Sequence, residues 1–170
     1  MKSFIEAILI AFIASVLGLG INGLRTSFTK SGLSLDTPWP DNRKIVKLEI
    51  PPSYQAGDSL LSVEEAYTMF LSENVLFIDA REPFEYAEGH IKGAISFPFD
   101  YWDDYWEGVK AKLNPGQRTV VYCGGLDCEL SVFSARELKA LGYPDSYIFF
   151  GGWLSWKEAG LPIEDSNGNE

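Results

Sequence analysis

Residues 119–131 read Thr-Val-Val-Tyr-Cys-Gly-Gly-Leu-Asp-Cys-Glu-Leu-Ser and hold both cysteines of the 170-residue chain. The apolar β-type run at 119–122 leads Cys123 into a loop that opens with Gly124 and Gly125, and a helical pattern follows at once. The first turn of a helix leaves its main-chain N–H groups unpaired, and with the helix dipole they favour negative charge. A thiol placed there is favoured as the thiolate, which predicts cysteine chemistry at Cys123.

Each cysteine also has a structural interpretation. A free cysteine is often a small buried hydrophobe, but the glycines after Cys123 indicate a loop rather than a core, so we prefer the reactive interpretation. Cys128 follows five positions later. It is either a second redox partner, able to attack an oxidised or persulfurated Cys123 and close a disulfide, or merely a small loop residue.

The composition limits the possible functions. A formal charge of −10 and an isoelectric point near 4.6 argue against nucleic acid as a partner, because phosphate contacts need a basic face. Two cysteines allow one bridge and do not make a disulfide scaffold. The length leaves room for one ordinary domain plus an extension.

The N-terminus is apolar. From Ala7 to Leu24 the chain carries no charge, and as a helix this stretch would span roughly 27 Å, close to the roughly 30 Å of a bilayer core. We therefore predict a single membrane anchor over residues 1–25, contacting the membrane through residues 4–24. A cleaved signal peptide is the alternative.

These features favour a bacterial-type plasma membrane with one span. Basic residues flank the stretch on both sides, so the charge rule does not decide its orientation; the very short N-terminal tail favours a domain that faces outward. We predict a linker at 26–58, rich in Ser, Gly and Pro, a folded domain at 59–163 and an acidic tail at 164–170.

Strand and helix patterns alternate along the folded part. Apolar runs predict strands at 75–78, 94–97, 119–122 and 147–150. A capping box at 62–65, read Ser-Val-Glu-Glu, and apolar periodicity predict helices at 62–71, 83–88, 101–113, 130–141 and 153–159. Such alternation, with strands that are apolar throughout, predicts an α/β domain with a parallel sheet. In such sheets ligands bind beyond the carboxyl ends of the strands, which is where Asp79, Arg81 and Cys123 are predicted to lie.

Three separated motifs resemble the rhodanese family. The first is Asp-Ala-Arg-Glu-Pro at 79–83, followed by Glu-Tyr at 85–86 and Gly-His-Ile-Lys-Gly-Ala-Ile at 89–95. The second is Tyr122-Cys123, and the third is Gly151-Gly152 followed by Trp156, Gly160 and Pro162. The similarity covers roughly residues 60–163.

The resemblance implies a three-layer α/β fold with a five-stranded parallel sheet flanked by helices. It also implies sulfur transfer, in which Cys123 attacks a sulfane sulfur, carries it as a persulfide and passes it to a thiol-type acceptor. The implied partners are a small sulfur donor and a thiol acceptor, with no cofactor and no metal. The implied active-site loop comprises Gly124, Gly125, Leu126, Asp127, Cys128, Glu129 and Leu130, and the implied supporting residues are Asp79, Arg81 and Ser131.

The loop departs from the family pattern. The usual loop carries an arginine shortly before the serine that Ser131 matches, whereas this loop is two residues longer and carries Asp127 and Glu129 instead. If these carboxylates point inward they oppose a thiolate, and thiosulfate, a dianion, is then a poor donor. Some rhodanese-like proteins with an N-terminal membrane segment resemble this Cys-x4-Cys arrangement.

Three other functions compete with sulfur transfer. A thiol–disulfide or persulfide-reducing module would use Cys123 with Cys128. A non-catalytic binding module would keep the fold alone. A phosphatase is disfavoured, because phosphate needs a cation at the loop's end and none stands between Cys123 and Ser131.

The remaining candidates are interpreted as structural. His90, the only histidine, is predicted to hydrogen-bond locally, with a general-base role as the alternative. One histidine and two loop cysteines do not make a zinc site. The aromatic and acidic run at 102–106 is predicted to be the amphipathic face of a helix, with a wall of the active site as the alternative.

Overall fold

A computed structural model of the protein describes residues 50–114, 116–165 and 167. Helices and strands alternate along these residues, as the sequence predicts. The helices are α1 (Val63–Phe70), α2 (Pro83–Glu88), α3 (Trp102–Lys110), α4 (Leu130–Ala140) and α5 (Gly152–Glu158), with a 3-10 turn at Phe99–Tyr101. The strands are β1 (Val75–Asp79), β2 (His90–Ile91), β3 (Ile95–Ser96), β4 (Arg118–Tyr122), β5 (Ser146–Phe149) and β6 (Ile163–Glu164).

The main sheet is parallel and has the strand order β3-β1-β4-β5. In this register Asp79 lies beside Tyr122, so β1 and β4 end level with each other. The residues that follow these two strands are therefore neighbours at one edge of the sheet. The short strands β2 and β6 form a separate antiparallel pair.

The prediction of five parallel strands is wrong, because the main sheet has four among the described residues. A single parallel bridge between Leu60 and Ile148 lies where a fifth strand would extend the sheet beside β5. The chain cannot continue this pairing, because Ser62 already begins α1. The Ser62 hydroxyl accepts a bond from the N–H of Glu65, whose carboxylate accepts one from the N–H of Ser62. This reciprocal cap is the one that the sequence predicts.

Two buried clusters, one on each face of the sheet, give the domain three layers. Side chains alternate along each strand, so Phe77 and Val120 face one way while Ile78 and Val121 face the other. The first cluster is completed by residues of α1 and α5, among them Ala66 and Trp156. The second is completed by Val109 of α3 and by Val132, Ala135 and Leu138 of α4, and it includes Cys123.

The predicted membrane anchor at 1–25 lies outside the described residues, as does the part of the predicted linker before residue 50. Across the described ranges no helix is long and apolar enough to span a bilayer.

Candidate active site

Cys123 is the first residue after β4, and the structure joins its sulfur to that of Cys128 in a disulfide. Their Cα atoms are 6.2 Å apart, within the range that a bridge requires. The turn between them is closed by the N–H of Cys128, which donates to the carbonyl oxygen of Gly125 at 2.9 Å. The sequence analysis expected a thiolate at Cys123; in the structure this sulfur is bonded and uncharged, because the turn brings Cys128 back onto it.

The two sulfur atoms differ in their surroundings. Cys123 has no exposed surface and belongs to the cluster between the sheet and α4, so the expectation that the glycines after it exclude it from the core is wrong. Cys128 is partly exposed. The Cys123 sulfur lies 2.7 Å from the carbonyl oxygen of Cys128 and 3.7 Å from the hydroxyl of Ser131, which is itself fully buried. Of the two bridged residues, only Cys128 therefore has exposed surface.

The loop around the bridge presents unpaired main-chain donors. Among the described residues, no acceptor pairs with the N–H groups of residues 124–127 and 129–131. Glu129, which precedes α4, makes no side-chain cap. Unpaired donors at a helix start favour a negative charge placed among them.

The start of α5 fixes the position of Cys123, and the sequence analysis did not predict this contact. The N–H groups of Trp153 and Leu154 donate to the carbonyl oxygens of Cys123 and Gly124 at 2.8 and 3.0 Å. Gly152 makes this approach possible: it has φ +57°, and a Cβ atom there would collide with the carbonyl oxygen of Cys123. The consecutive glycines at 151–152 indicated a close main-chain approach, but they did not indicate its partner, Cys123, which lies about 30 residues away in the chain.

Asp79 and Arg81 form a buried ion pair at the end of β1. The Arg81 side chain donates through Nε to Asp79 at 3.0 Å and through Nη2 at 2.6 Å, and Nη2 also donates to the carbonyl oxygen of Gly89 at 2.7 Å. Burial lowers the pKa of Arg81, but its hydrogen bonds to Asp79 and the charge of that carboxylate outweigh burial and raise it. Arg81 also stacks over the Trp153 ring, with Cζ 4.8 Å from the ring centroid. No contact joins the pair to either sulfur among the described residues, so it braces the site indirectly, through Trp153.

Tyr122, which precedes the cysteine, was not predicted as a site residue. Its ring is fully buried, and its hydroxyl accepts a bond from the N–H of Ile91 at 3.1 Å. Burial and the nearby charge of Asp79 raise the pKa of Tyr122 well above its ordinary value. Tyr122 therefore stays a neutral phenol that ties β4 to β2.

The acidic residues of the loop do not converge on the sulfur. Glu129 accepts a hydrogen bond from the N–H of Ser53 at 2.8 Å, and this contact lowers the pKa of Glu129. Asp127 is exposed. Arg136 of α4 binds Asp58 at 2.6 Å and also the carbonyl oxygen of Ser53, so the segment before α1 is attached to α4 at the end of the loop.

An aromatic surface lies between the end of β1 and the first turn of α4. The N–H of Phe99 donates to the carbonyl oxygen of Ala80 at the end of β1, and the Phe99 ring contacts Trp102 and Phe133, with centroids 6.1 and 5.9 Å apart. Phe133 lies in the first turn of α4, two residues after Ser131. The amphipathic interpretation of 102–106 is confirmed: its aromatic residues pack on the second cluster and its acidic residues are exposed.

His90 contacts Tyr86, four residues before it, and Glu164 of β6. Its Nδ1 lies 2.8 Å from the carbonyl oxygen of Tyr86, its ring stacks on that of Tyr86, and Nε2 is 3.4 Å from Glu164. The predicted local role is thus confirmed, and none of these contacts involves a sulfur. Within the described ranges no group of three or more His, Cys, Asp or Glu side chains is arranged to hold a metal ion.

Several known proteins are similar to this chain. Proteins named tRNA uridine(34) hydroxylase include one from Brucella ovis, 30% identical over 171 residues, which span 95% of this chain and 53% of that protein. A second, from Legionella pneumophila strain Corby, is 29% identical over 121 residues, or 69% of this chain and 46% of that protein. The chain thus spans about half the length of the curated relatives it matches.

Solved structures share the fold. The BH2092 protein from Bacillus halodurans superposes with a TM-score of 0.56 at 22% identity, over 65% of this chain and 78% of that one. Thiosulfate sulfurtransferase from Pseudomonas aeruginosa superposes with a TM-score of 0.53 at 24% identity, over 64% of this chain and 20% of that one. Residues 62–159, more than half of the sequence, match the rhodanese-like domain family. The chain therefore belongs to the rhodanese-like domain family.

Proposed function

We propose that the domain is a sulfurtransferase in which reduced Cys123 accepts a sulfane sulfur. One observation carries the proposal: the Cys123 sulfur at the end of β4 opens a loop whose N–H groups have no acceptors among the described residues, and it is bonded to a second cysteine sulfur. The Cys123 thiolate attacks the outer sulfur of a donor such as an organic persulfide, forming an S–S bond while the donor's thiolate leaves. The main-chain amides of the loop that lack acceptors are available to stabilise the resulting persulfide anion.

A second function, persulfide reduction, is favoured by the disulfide itself. The Cys128 thiolate attacks the Cys123 sulfur of the persulfide, the Cys123–Cys128 bond forms, and the outer sulfur leaves as hydrosulfide. The two cysteines lose two electrons and the sulfane sulfur gains them. This step requires both sulfurs in one short turn, which is their arrangement in the structure.

The charge around the loop favours donors other than thiosulfate. The loop contains no Arg or Lys, Asp127 is exposed at its tip, and acidic residues also flank the aromatic surface of Phe99, Trp102 and Phe133. A dianion meets no cation in the loop, whereas an organic persulfide carries apolar groups that match the aromatic surface. We therefore propose an organic persulfide or polysulfide as the donor and a thiol as the acceptor.

The hydroxylase activity in the names of the relatives is not extended to this chain. Their substrate is a tRNA, and this chain carries a formal charge of −10. Neutralising RNA phosphates needs a cluster of Lys and Arg. The proposal thus concerns the sulfur chemistry of the family fold, with a small molecule or a protein thiol as the partner.

We further propose that residues 4–24 tether the domain to a bacterial-type plasma membrane, with the domain on the outer side. The support is the uncharged stretch from Ala7 to Leu24, whose helical length matches a bilayer core. Extraction of cell membranes with alkaline carbonate should leave the full chain in the pellet. Protease added to intact spheroplasts should then cleave the domain, and protection would place it on the inner side.

Intact-mass spectrometry tests the chemistry. Fully reduced protein is incubated with glutathione persulfide, and with thiosulfate in a parallel sample. We expect Cys128→Ala to gain one sulfur atom from the persulfide and Cys123→Ala to gain none. Wild type should release hydrosulfide and lose two hydrogens if Cys128 resolves the persulfide, or keep the added sulfur if it does not. A Cys128→Ala protein that gains no sulfur from either donor would contradict the proposal and favour a binding module.

A further inference from the structure

We propose that the Cys123–Cys128 bridge opens in one direction only: an external thiol attacks the sulfur of Cys128, and Cys123 is the leaving group. The inference rests on the proposed function for its purpose, which is to restore Cys123 for the next sulfur. It assigns Cys128 a second role, as the residue that forms the mixed disulfide with a reductant. It also means that the bridged form cannot accept sulfur until it is reduced.

Access to the two sulfurs is the first argument. An attacking thiolate approaches along the S–S axis, so it must reach the attacked sulfur from the side opposite its partner. Cys123 has no exposed surface and packs in the cluster that contains Ile78, Val132 and Phe150. Cys128 is partly exposed, next to the exposed Asp127. A thiol from solvent therefore reaches Cys128 and is excluded from Cys123.

Stabilisation of the leaving group is the second argument. When the bond breaks, the sulfur that leaves carries a negative charge, and exchange is faster when that charge is better stabilised. The Cys123 sulfur lies 3.7 Å from the hydroxyl of Ser131, inside the loop whose N–H groups are unpaired. Among the described residues the Cys128 sulfur has no such hydroxyl contact, and its sequence neighbours Asp127 and Glu129 are acidic. Both effects favour departure of Cys123.

The main-chain contacts of the two cysteines supply the third argument. The carbonyl oxygens of Cys123 and Gly124 are both held by the first N–H groups of α5. Among the described residues, the main chain of Cys128 contacts only its own turn: its N–H donates to Gly125, and its carbonyl oxygen lies 2.7 Å from the Cys123 sulfur. Formation of a mixed disulfide requires one cysteine to move outward with the reductant. The turn lets Cys128 do so while Cys123 stays in place.

A dithiol can complete the exchange on its own. The first thiolate of the reductant bonds to the Cys128 sulfur, and the Cys123 thiolate leaves. The second thiolate of the reductant then attacks the reductant sulfur that is bonded to Cys128, and the Cys128 thiolate leaves. The reductant is oxidised to a disulfide, and the two cysteines receive its two electrons. The partner class is thus a protein or small-molecule dithiol.

Rapid trapping of the first step tests the proposal. Oxidised wild-type protein is mixed with glutathione, a monothiol that stops at the mixed disulfide, and is quenched at early times with N-ethylmaleimide. Trypsin cleavage after Arg118 and Arg136 releases both cysteines in one peptide, and fragmentation spectra locate the two labels. Cys128→Ser, which cannot form the bridge, is processed in parallel to measure background labelling.

We expect glutathione on Cys128 and maleimide on Cys123 in at least a tenfold excess over the reverse pattern. The reverse pattern, or equal amounts of the two, would overturn the proposal. The reaction contains no sulfane sulfur, so failure of Cys123 to load sulfur in the earlier experiment would leave this result unchanged. Equal amounts of the two labelling patterns would likewise say nothing against sulfur loading at Cys123. Failure of this proposal and failure of the proposed function are therefore distinguishable.

Discussion

β1 and β4 are adjacent strands that end level with each other, yet their ends are built differently. β1 ends in Asp79 and Arg81, which satisfy each other and the carbonyl oxygen of Gly89 in a fully buried ion pair. β4 ends in a loop whose N–H groups have no acceptors among the described residues and whose two sulfurs are bonded to each other. The polar groups at one end are paired, whereas the main-chain donors at the other end have no acceptors among the described residues.

This difference separates support from chemistry. A saturated ion pair offers nothing to a ligand, but it holds Trp153, and through α5 it holds the carbonyl oxygen of Cys123. The unpaired donors of the loop weaken the fold locally and are useful only if an anion occupies them. We therefore expect substitutions at the end of β1 to act mainly on stability and those at the end of β4 mainly on reactivity.

The largest effect is expected for Arg81→Met. Removing one partner of a buried ion pair leaves Asp79 uncompensated, which costs about 3–5 kcal/mol in the free energy of unfolding. Urea unfolding of the oxidised protein measures this cost. The matched control is Arg118→Met at the start of β4, where no ion pair is formed among the described residues and the cost should stay below about 1 kcal/mol. Equal costs at the two positions would mean that the end of β1 is not the brace we describe.

Gly152→Ala should have the next largest effect. Alanine at φ +57° is strained by about 1–2 kcal/mol, and its Cβ would also collide with the carbonyl oxygen of Cys123, adding about 1–3 kcal/mol. Gly160→Ala is the matched control, because Gly160 has φ +60° with no atom within 4 Å of a Cβ there. The difference between the two variants in the free energy of unfolding, measured with urea, gives the cost of the collision. Equal losses of stability would show that α5 does not press against the end of β4.

Local pattern accounts for most of the fold and for the position of the cysteine. The predicted strand at 119–122, the capping box at Ser62 and the helix at 130–141 depend on neighbours within a few residues, and the structure contains all three. The fifth strand came from the family resemblance and failed, because the chain turns into α1 directly after the bridge at Leu60.

The internal arrangement of the site was harder to predict. The contact of Trp153 with Cys123 and the hydrogen bond of Tyr122 to Ile91 join residues about 30 positions apart. No periodicity encodes such contacts; they arise when separate elements pack together. The sequence allowed Cys128 to be either a redox partner or a loop residue. The main-chain turn at Gly125, which brings the sulfurs together, distinguishes these options only in three dimensions.

The bridge itself should stabilise the domain by a smaller amount. Closing a loop of this length removes about 2 kcal/mol of chain entropy from the unfolded state. In urea unfolding, the free energy of unfolding of oxidised wild type should therefore be about that much higher than that of phosphine-reduced wild type. The free energy of unfolding of Cys128→Ser should equal that of the reduced form, with or without phosphine. If oxidation left the stability unchanged, the bridge would have no part in holding the end of β4.

The smallest effect concerns the Asp58–Arg136 pair, which attaches the segment before α1 beside the loop. Its hydrogen bond to Arg136 lowers the pKa of Asp58. A carboxylate whose folded pKa lies below its unfolded value, about 4, contributes stability above that value and loses it as pH falls through the folded pKa. Because Arg136 is partly exposed, the contribution should stay near or below about 1 kcal/mol. The free energy of unfolding of Asp58→Asn, measured with urea at neutral pH, should thus be slightly lower than that of wild type. This difference in stability should disappear in acid. A gap that persisted below the folded pKa would mean that Asp58 acts through packing rather than charge, unlike the ion pair at the end of β1.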